Sequence, residues 1–199
     1  MTAAHKSGAA RGGLWQDGWY RPAQCCPSPN CDPRPAGIDI SLIVLHSISL
    51  PPGVYGGDAV LALFGNRLDC DAHPYFETLR GLQVSAHFFI RRGGQIVQSV
   101  SGDARAWHAG ASCWRGRENC NDYAIGIELE GLEGDTFTAP QYTALTRLAA
   151  SLARRYPITA IAGHEHIAPG RKHDPGPGFD WTRFKRQLIP RVERPLDWP

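Results

Sequence analysis

The chain has 199 residues, a length that favours one domain, with or without an arm, over two full domains. Hydrophobic residues make up 42% and charged residues 20%, which is ordinary globular usage and excludes a disordered or fibrous protein. Lys and Arg number 21 against 19 Asp and Glu, and this net charge of +2 lacks the strong basic excess typical of nucleic-acid-binding proteins. We therefore expect no nucleic-acid partner.

Hydropathy and cysteine usage suggest the compartment. No segment approaches the roughly 18 uninterrupted apolar residues of a membrane helix, and residues 1–20 contain no stretch resembling a signal-peptide core. We therefore expect a cytoplasmic protein with no membrane partner and with reduced thiols at its six cysteines. Cys25, Cys26 and Cys31 are close enough in sequence to hold a metal, but they form no paired C-x-x-C motif and receive no assigned role.

Residues 1–40 are rich in Gly, Pro and small polar residues, which predicts an irregular N-terminal arm with a flexible tip extending roughly to Gly13. Five prolines between positions 22 and 35 interrupt any helix or central strand. The domain itself is expected to span residues 41–199. Its first strand is predicted at Leu42–Leu45, because a short apolar run is typical of a strand buried on both faces.

Alternation of apolar and polar residues predicts the next strands. Residues 83–90 alternate, and a Gly-containing turn then leads into residues 95–100, which is the signature of a hairpin. Residues 123–130 show the sharpest alternation of the chain. One face of that strand carries Ile125, Ile127 and Leu129.

Helix signals dominate the C-terminal third. Thr138 and Gln141 form a capping box, and Pro157 ends the helix that follows. The apolar stripe of this helix consists of Leu145, Leu148, Ala149 and Leu152. A short strand is predicted over residues 158–162, and Asp180 is expected to cap a last helix. Because strands, helices and a hairpin are interleaved, we predict an α/β fold with a central mixed β-sheet flanked by helices.

Three residues at strand ends and in a stiff loop predict a metal site. His46 ends the first strand, and His164 follows a glycine at the end of the strand predicted over residues 158–162. Asp174 lies in a loop that three prolines stiffen. Two imidazoles and a carboxylate form a three-ligand zinc site with an open fourth position, as in catalytic zinc sites. Spacing alone leaves four other donors open: His87, His108, His166 and His173.

Glu128 and Lys172 each admit two interpretations. Glu128 lies opposite the apolar face of its strand, so it points either to solvent together with Glu130 or into a site. In a site it would accept a proton from the attacking water, and a general base typically adds roughly 10²–10⁴-fold to a rate. Lys172, two residues before Asp174, is either an ordinary surface lysine or the group that stabilises an oxyanion.

Four stretches carry a resemblance to a known family: VLHSISLPPGVYGG (44–57), VSAHFFIRRGGQIVQ (84–98), RAWHAGASCWRGRENCNDYAIGIELEG (105–131) and GHEHIAPGRKHDPGPGFDW (163–181). They resemble the cytoplasmic 1,6-anhydro-N-acetylmuramyl-L-alanine amidases of the AmpD type, within the wider zinc amidase family of phage T7 lysozyme and peptidoglycan-recognition proteins. The resemblance runs from about Asp17 to Ile189. By position it implies zinc ligands His46, His164 and Asp174, the general base Glu128 and the transition-state lysine Lys172.

The resemblance also implies the fold of those proteins, a Zn²⁺ cofactor and a substrate. The implied substrate is a small soluble muropeptide in which 1,6-anhydro-N-acetylmuramic acid is joined through its lactyl group to the L-Ala of a stem peptide. The implied reaction hydrolyses that lactyl–L-Ala amide during cytoplasmic recycling of cell-wall fragments. The expected form is a monomer, although the sequence carries no direct signal for oligomeric state.

Substrate contacts are expected at Trp107, Ser47 and Asn119. Trp107 is expected to pack against the anhydro-sugar, with a core tryptophan as the alternative. Ser47 stands where the family pattern has Asn, and Gln83 and Asn119 stand where it has Arg. Arg binds a carboxylate through two hydrogen bonds and these replacements cannot, so their presence would weaken affinity for an acidic stem peptide.

Other functions remain open at this point. The chain could be an amidase that acts on intact peptidoglycan, as phage lysins do. It could be a non-catalytic peptidoglycan-binding module, which would typically lack one of the three ligands. It could also be a structural zinc domain, which requires a closed shell of four ligands with the fourth supplied by His166 or His173.

Overall fold

A computed structural model describes residues 13–199, so the tip expected before Gly13 lies outside the described residues. The described part contains twelve short or medium strands and five α-helices. The strands are Trp15–Gln16 (β1), Trp19–Tyr20 (β2), Gln24–Cys25 (β3), Cys31–Pro33 (β4), Leu42–Ile48 (β5), Phe88–Ile90 (β6), Ile96–Gln98 (β7), Ala104–Ala106 (β8), Cys113–Trp114 (β9), Arg117–Glu118 (β10), Ala124–Glu130 (β11) and Ala160–Gly163 (β12). The helices are Ala59–Phe64 (α1), Pro74–Glu77 (α2), Ala139–Arg155 (α3), His164–Ile167 (α4) and Trp181–Leu188 (α5).

The central sheet has six strands in the order β12-β5-β11-β6-β7-β3. Strands β12, β5, β11 and β6 run parallel, β7 returns antiparallel to β6, and β3 pairs parallel to β7 at the edge. The sheet is therefore mixed, as predicted. β5 and β11 pair over seven residues at its centre and are buried almost throughout, which explains why the sequence of β5 is a continuous apolar run.

One face of the sheet packs against α3 and α5. The predicted row Ile125, Ile127 and Leu129 lies in this core together with Ile43 and Leu45 of β5. The capping box that was predicted at the start of α3 is present, with the Thr138 side chain accepting from the backbone N–H of Gln141. The apolar stripe of α3 is fully buried in the same core: Leu145, Leu148, Ala149 and Leu152.

The opposite face of the sheet is covered only in part by helices. α1 and α2 pack over β6 and β7, where Phe89 and Val97 are completely buried. Over β5, β11 and β12 this face meets α4 and the loop segments around Ala109 and Cys120. The carboxyl ends of β5 and β11, with the start of α4 after β12, consequently border an open cleft.

The N-terminal arm runs irregularly over the domain and is held by short strands. β4 pairs with β8, and Asp32 accepts a hydrogen bond from the indole Nε1–H of Trp107 at 2.7 Å. The half-buried Arg34 side chain donates from its guanidinium to four backbone carbonyls, those of Gly102, Asn121, Asp122 and Ala124. The boundary expected at residue 40 stays a prediction.

Several elements differ from their predicted extents. The strand expected over residues 83–90 is regular only at Phe88–Ile90, because the N–H of Ser85 bonds to the carbonyl of Trp107 in a loop instead of to a neighbouring strand. α1 and α2 were not predicted, since helices of six and four residues are too short to carry an apolar stripe. No helix among residues 13–199 combines the length and the apolar character needed to cross a membrane.

The core under α3 gives a direct test of the packing. Leu145 is fully buried, so Leu145→Ala should lower the free energy of unfolding by about 2–5 kcal/mol through lost burial and a residual cavity. Ile189 is 54% exposed, and Ile189→Ala is the aliphatic control that should change stability by less than about 0.5 kcal/mol. Urea denaturation followed by circular dichroism measures the free energy of unfolding of both variants. An equal decrease in the two variants would contradict this packing.

Candidate metal centre

The carboxyl ends of three adjacent parallel strands place polar side chains in one row. Glu128 of β11 is the register partner of His46 of β5, so both side chains lie on the same face of the sheet. Leu45 pairs with Gly163, the last residue of β12, and His164 follows at the level of His46. In open α/β sheets, ligands bind beyond the carboxyl ends of the strands, and this row lies there.

His46, His164 and Asp174 form a tight triangle of donor atoms. His46 Nδ1 lies 3.0 Å from His164 Nδ1, and Asp174 Oδ2 lies 3.1 Å and 3.2 Å from these two nitrogens. The loop that carries Asp174 is tied back to α4 by the hydrogen bond from the Glu165 N–H to the Asp174 carbonyl. In the described part of the chain this is the one group of three His, Cys, Asp or Glu side chains close enough to share a metal ion.

The triangle fits a zinc ion. Ligands at about 2.0–2.1 Å from a tetrahedral zinc stand roughly 3.3 Å apart, close to the distances between these donors. Two imidazoles and one carboxylate are a donor set that zinc prefers, and no fourth protein ligand closes the group among residues 13–199. These residues therefore do not form a closed structural zinc site.

The second nitrogen of each imidazole is also engaged. His164 Nε2 lies 3.1 Å from the carbonyl oxygen of Ala109, so Nε2 carries the proton and donates it. His46 Nε2 lies 3.0 Å from His108 Nδ1, and the same tautomer makes His46 the donor there. Both Nδ1 atoms are thus left unprotonated for a metal, the arrangement that outer hydrogen bonds commonly impose on zinc-binding histidines.

The charge states of the triangle suit metal binding. Burial lowers the pKa of His46 to about 4, so its ring is neutral at pH 7. Burial opposes ionisation of Asp174, but the two histidines beside its carboxylate outweigh it and hold the pKa of Asp174 below its ordinary value. Neutral imidazoles and an ionised carboxylate are the forms that coordinate a metal ion.

Glu128 points into the site and not to solvent. Its Oε2 is buried and has no hydrogen-bond partner in the described part of the chain. Burial, followed by the nearby charge of Asp174, raises the pKa of Glu128 well above its ordinary value, while the charge of Lys172 acts in the opposite direction. An unpaired buried carboxylate oxygen is costly, and such groups are typical of functional sites.

The alternative in which Glu128 and Glu130 form a solvent-facing pair is wrong. Glu130 is buried, and its two carboxylate oxygens accept the backbone N–H groups of Gly56 and Arg92 at 2.6 Å and 2.8 Å. Glu130 therefore joins loops at the end of the sheet. The two glutamates share a face of β11 but have different roles.

A cleft of about 450 Å³ opens over the row. Lys172 is exposed and lines it together with His46 and Glu128. Ser47 and Trp107, two of the predicted substrate contacts, line the same cleft. Trp107 is only half-buried, so it is a cleft residue and not a core tryptophan.

Asn119 and Gln83 lie elsewhere. Asn119 is exposed at the start of the 3-10 turn Cys120–Asp122, with a left-handed φ of 56°, and it does not line the cleft. Gln83 is exposed and lines a separate small pocket. Their roles, like those of the other predicted site residues, stay predictions.

The structure shows where the four other candidate histidines lie. His166 Nδ1 accepts the N–H of Gly163, and His173 is exposed in the cleft. His108 and His87 lie behind the triangle: His108 contacts His46, and His87 Nδ1 accepts the N–H of Gly126. From the sequence, His108 is only one of several possible metal ligands. A histidine in a loop carries no signal that distinguishes a metal ligand from a residue that orients a ligand.

The cysteines take no part in this centre. All six are free thiols, as expected, and Cys120 alone is buried. Cys25, Cys26 and Cys31 do not form a group with the spacing of metal ligands among the described residues. The site therefore depends on nitrogen and oxygen donors only.

Comparison with known proteins adds the family. The model of the N-acetylmuramoyl-L-alanine amidase family matches residues 36–177, more than half of the chain. The chain belongs to the N-acetylmuramoyl-L-alanine amidase family. One relative, the 1,6-anhydro-N-acetylmuramyl-L-alanine amidase AmpD of Citrobacter freundii, is 51% identical over 185 residues, which cover 92% of this chain and 99% of the relative.

Solved structures of this family show the same fold. A crystal structure of a selenomethionine AmpD derivative has a TM-score of 0.85 and 49% identity, and the match covers 88% of this chain and 99% of that one. The amidase AmiD of E. coli, in complex with the substrate anhydro-N-acetylmuramic acid-L-Ala-D-γ-Glu-L-Lys, has a TM-score of 0.55 and 31% identity. That match covers 76% of this chain and 59% of AmiD.

Three histidines in and behind the triangle make stability depend on pH. Burial lowers the pKa of His46, His87 and His108, so below about pH 6.5 the unfolded chain binds protons that the folded protein does not. The free energy of unfolding of the metal-free protein should therefore fall as the pH falls from about 6.5 to about 5, by up to about 1.4 kcal/mol per pH unit for each histidine. The raised pKa of Glu128 acts in the opposite direction in this range, so one carboxylate offsets part of the contribution of the three histidines. Urea denaturation at several pH values measures this slope.

The variant His87→Gln isolates one of these contributions. Glutamine can accept the Gly126 N–H and donate to the Ala104 carbonyl, as His87 does, but it does not titrate. In this variant, the slope of the free energy of unfolding against pH should decrease by the contribution of one histidine. An unchanged slope in a folded His87→Gln protein would contradict the assignment of a lowered pKa to His87.

Proposed function

We propose that the chain is a zinc-dependent hydrolase that cleaves the amide between the lactyl group of 1,6-anhydro-N-acetylmuramic acid and the L-Ala of a stem peptide. The observation that carries this proposal is the buried, unpaired Oε2 atom of Glu128 beside an open three-donor triangle at the floor of a cleft. The near-complete coverage of a relative that bears this activity in its name supports the choice of substrate.

The three donors would hold the metal. Zinc bound by His46, His164 and Asp174 would polarise a carbonyl and lower the pKa of water to about 7. His46 and His164 contribute neutral ligands whose orientation their Nε2 hydrogen bonds set, and Asp174 contributes one negative charge. A dication at this place also favours the ionised form of Glu128, opposing the effect of burial on its pKa.

Glu128 acts as general base and then as general acid. Its free Oε2 takes a proton from the attacking water and later passes it to the leaving amine of L-Ala. Burial raises the pKa of Glu128, which makes its carboxylate a better proton acceptor than an exposed one. Burial also keeps competing bulk water away from Oε2.

Lys172 and Trp107 complete the proposed site. Lys172 reaches the cleft from the loop that carries Asp174, and its ammonium would stabilise the oxyanion that develops on the scissile carbonyl. Trp107 would present its ring to the sugar. Its indole N–H is already bound to Asp32, which fixes the orientation of that ring before substrate arrives.

The substrate is proposed as a small soluble fragment and not as intact wall. The E. coli AmiD structure holds an anhydromuramyl tripeptide, which is a ligand of that class on the same fold. Action in the cytoplasm, a place in wall-fragment recycling and a monomeric state are further parts of the proposal. They rest on the family resemblance.

Metal removal tests the proposal. Purified protein should release peptide with a free L-Ala amine from soluble anhydromuramyl peptide, lose this activity on exhaustive chelation, and regain it with zinc. Chromatography of the products measures the release. Full activity after chelation would overturn zinc dependence, and release from purified sacculi without action on the soluble fragment would overturn the substrate.

Replacement of the general base tests the mechanism. Glu128→Gln keeps the size of the side chain but cannot take a proton, so kcat should fall by roughly 10²–10⁴-fold while one zinc per chain is retained. Metal analysis and the release assay measure the two quantities. The exposed Glu193→Gln is the control and should keep wild-type turnover; a zinc-loaded Glu128→Gln protein with near wild-type kcat would refute the role of Glu128.

A further inference from the structure

Both imidazoles of the triangle depend on the same two residues behind them. His46 Nε2 contacts His108 Nδ1, and His164 Nε2 donates to the carbonyl of Ala109, the next residue in the chain. The orientation of both rings is therefore coupled to the position of one dipeptide. This dipeptide lies in the connection between β8 and β9, where no strand pairing fixes it.

The side chain of Asn121 holds the backbone N–H groups of this dipeptide, while the carbonyl of Ala109 also accepts from the Arg171 guanidinium. The Asn121 Oδ1 accepts the backbone N–H groups of both His108 and Ala109, at 3.1 Å and 2.9 Å. Asn121 is buried, on the 3-10 turn Cys120–Asp122 that leads directly into β11. One carboxamide oxygen thus joins the dipeptide to the strand that carries Glu128.

The central sheet also restricts the ring of His108. Gly126 of β11 faces the His108 ring, and a Cβ at position 126 would lie only 2.4 Å from it. The ring therefore packs directly on the backbone of β11. With its backbone N–H held by Asn121 and its ring packed against Gly126, His108 presents Nδ1 to His46.

We infer that Asn121 is a positioning residue of the metal centre, which through His108 and Ala109 holds both imidazoles with Nδ1 towards the metal. The inference rests on the proposed zinc binding, but not on amide hydrolysis. Partners that orient a metal-binding histidine are typically worth about 10–100-fold in metal affinity. Asn121 acts on two such histidines without contacting the metal or substrate itself.

Zinc affinity, measured by competition with a chromophoric chelator, tests this role. Asn121→Ala should bind zinc at least about 10-fold more weakly than wild type, because the dipeptide loses both hydrogen bonds. Asn121→Asp retains an acceptor oxygen and should restore affinity to within about threefold. The absorption spectrum of the cobalt-substituted protein should change in Asn121→Ala and return to the wild-type form in Asn121→Asp.

Asn30→Ala is the matched control for simple loss of stability. Asn30 is a buried asparagine that bonds to the carbonyls of Phe64 and Val84 and to Asn66, without contact to the triangle. This variant should unfold at lower urea concentration but bind zinc as wild type does. His108→Phe keeps a planar aromatic ring, although a larger one, and removes the Nδ1 acceptor, so it tests the same link even where Asn121→Ala fails to fold.

The outcomes separate the two proposals. Wild-type protein that binds no zinc would refute the proposed function. Tight wild-type binding with unchanged affinity in a folded Asn121→Ala, or in His108→Phe, would overturn the positioning role alone. The positioning role would also be overturned if zinc affinity fell as much in Asn30→Ala as in Asn121→Ala, because general destabilisation would then account for the effect.

Discussion

The site depends on the register of three parallel strands. In a parallel pair, a one-residue slip would send Glu128 to the helix-covered face and leave His46 without its neighbour. The pairing of β5 with β11 over seven mostly buried residues prevents such a slip, since Ile125, Ile127 and Leu129 would lose their core on the other face. The hydrophobic core under α3 thereby sets the chemistry of the cleft on the opposite side of the sheet.

The sequence was sufficient where a pattern is local. β5, β11, α3 and the cap of α5 were predicted because apolar runs, alternation and capping residues report on their own segments. α1 and α2 escaped prediction because they are stabilised by packing on Phe89 and Val97, not by their own periodicity. The pairing of β3 with β7 likewise could not be predicted from the sequence, since nothing in Gln24–Cys25 specifies the partner strand.

The same limit applies to the site. Spacing singled out His46, His164 and Asp174 but could not exclude the other histidines, because the choice among them depends on strand register and on a loop folding back to α4. The family resemblance pointed to the same three residues, and the structure brings their donor atoms together. Asn121 had no sequence signal at all: its contribution is one oxygen atom directed at two backbone N–H groups of a distant loop.

The N-terminal arm has a consequence for how the domain is delimited. Asp32 fixes the indole of Trp107 at the cleft wall, and Arg34 binds the carbonyl of Asn121 from inside the protein. A deletion that begins the polypeptide at residue 41 would remove the Asp32 contact to Trp107 and leave four backbone carbonyls without their guanidinium donor. Shortened versions of this enzyme should therefore keep the chain from β4 onward, although the family match starts only at residue 36.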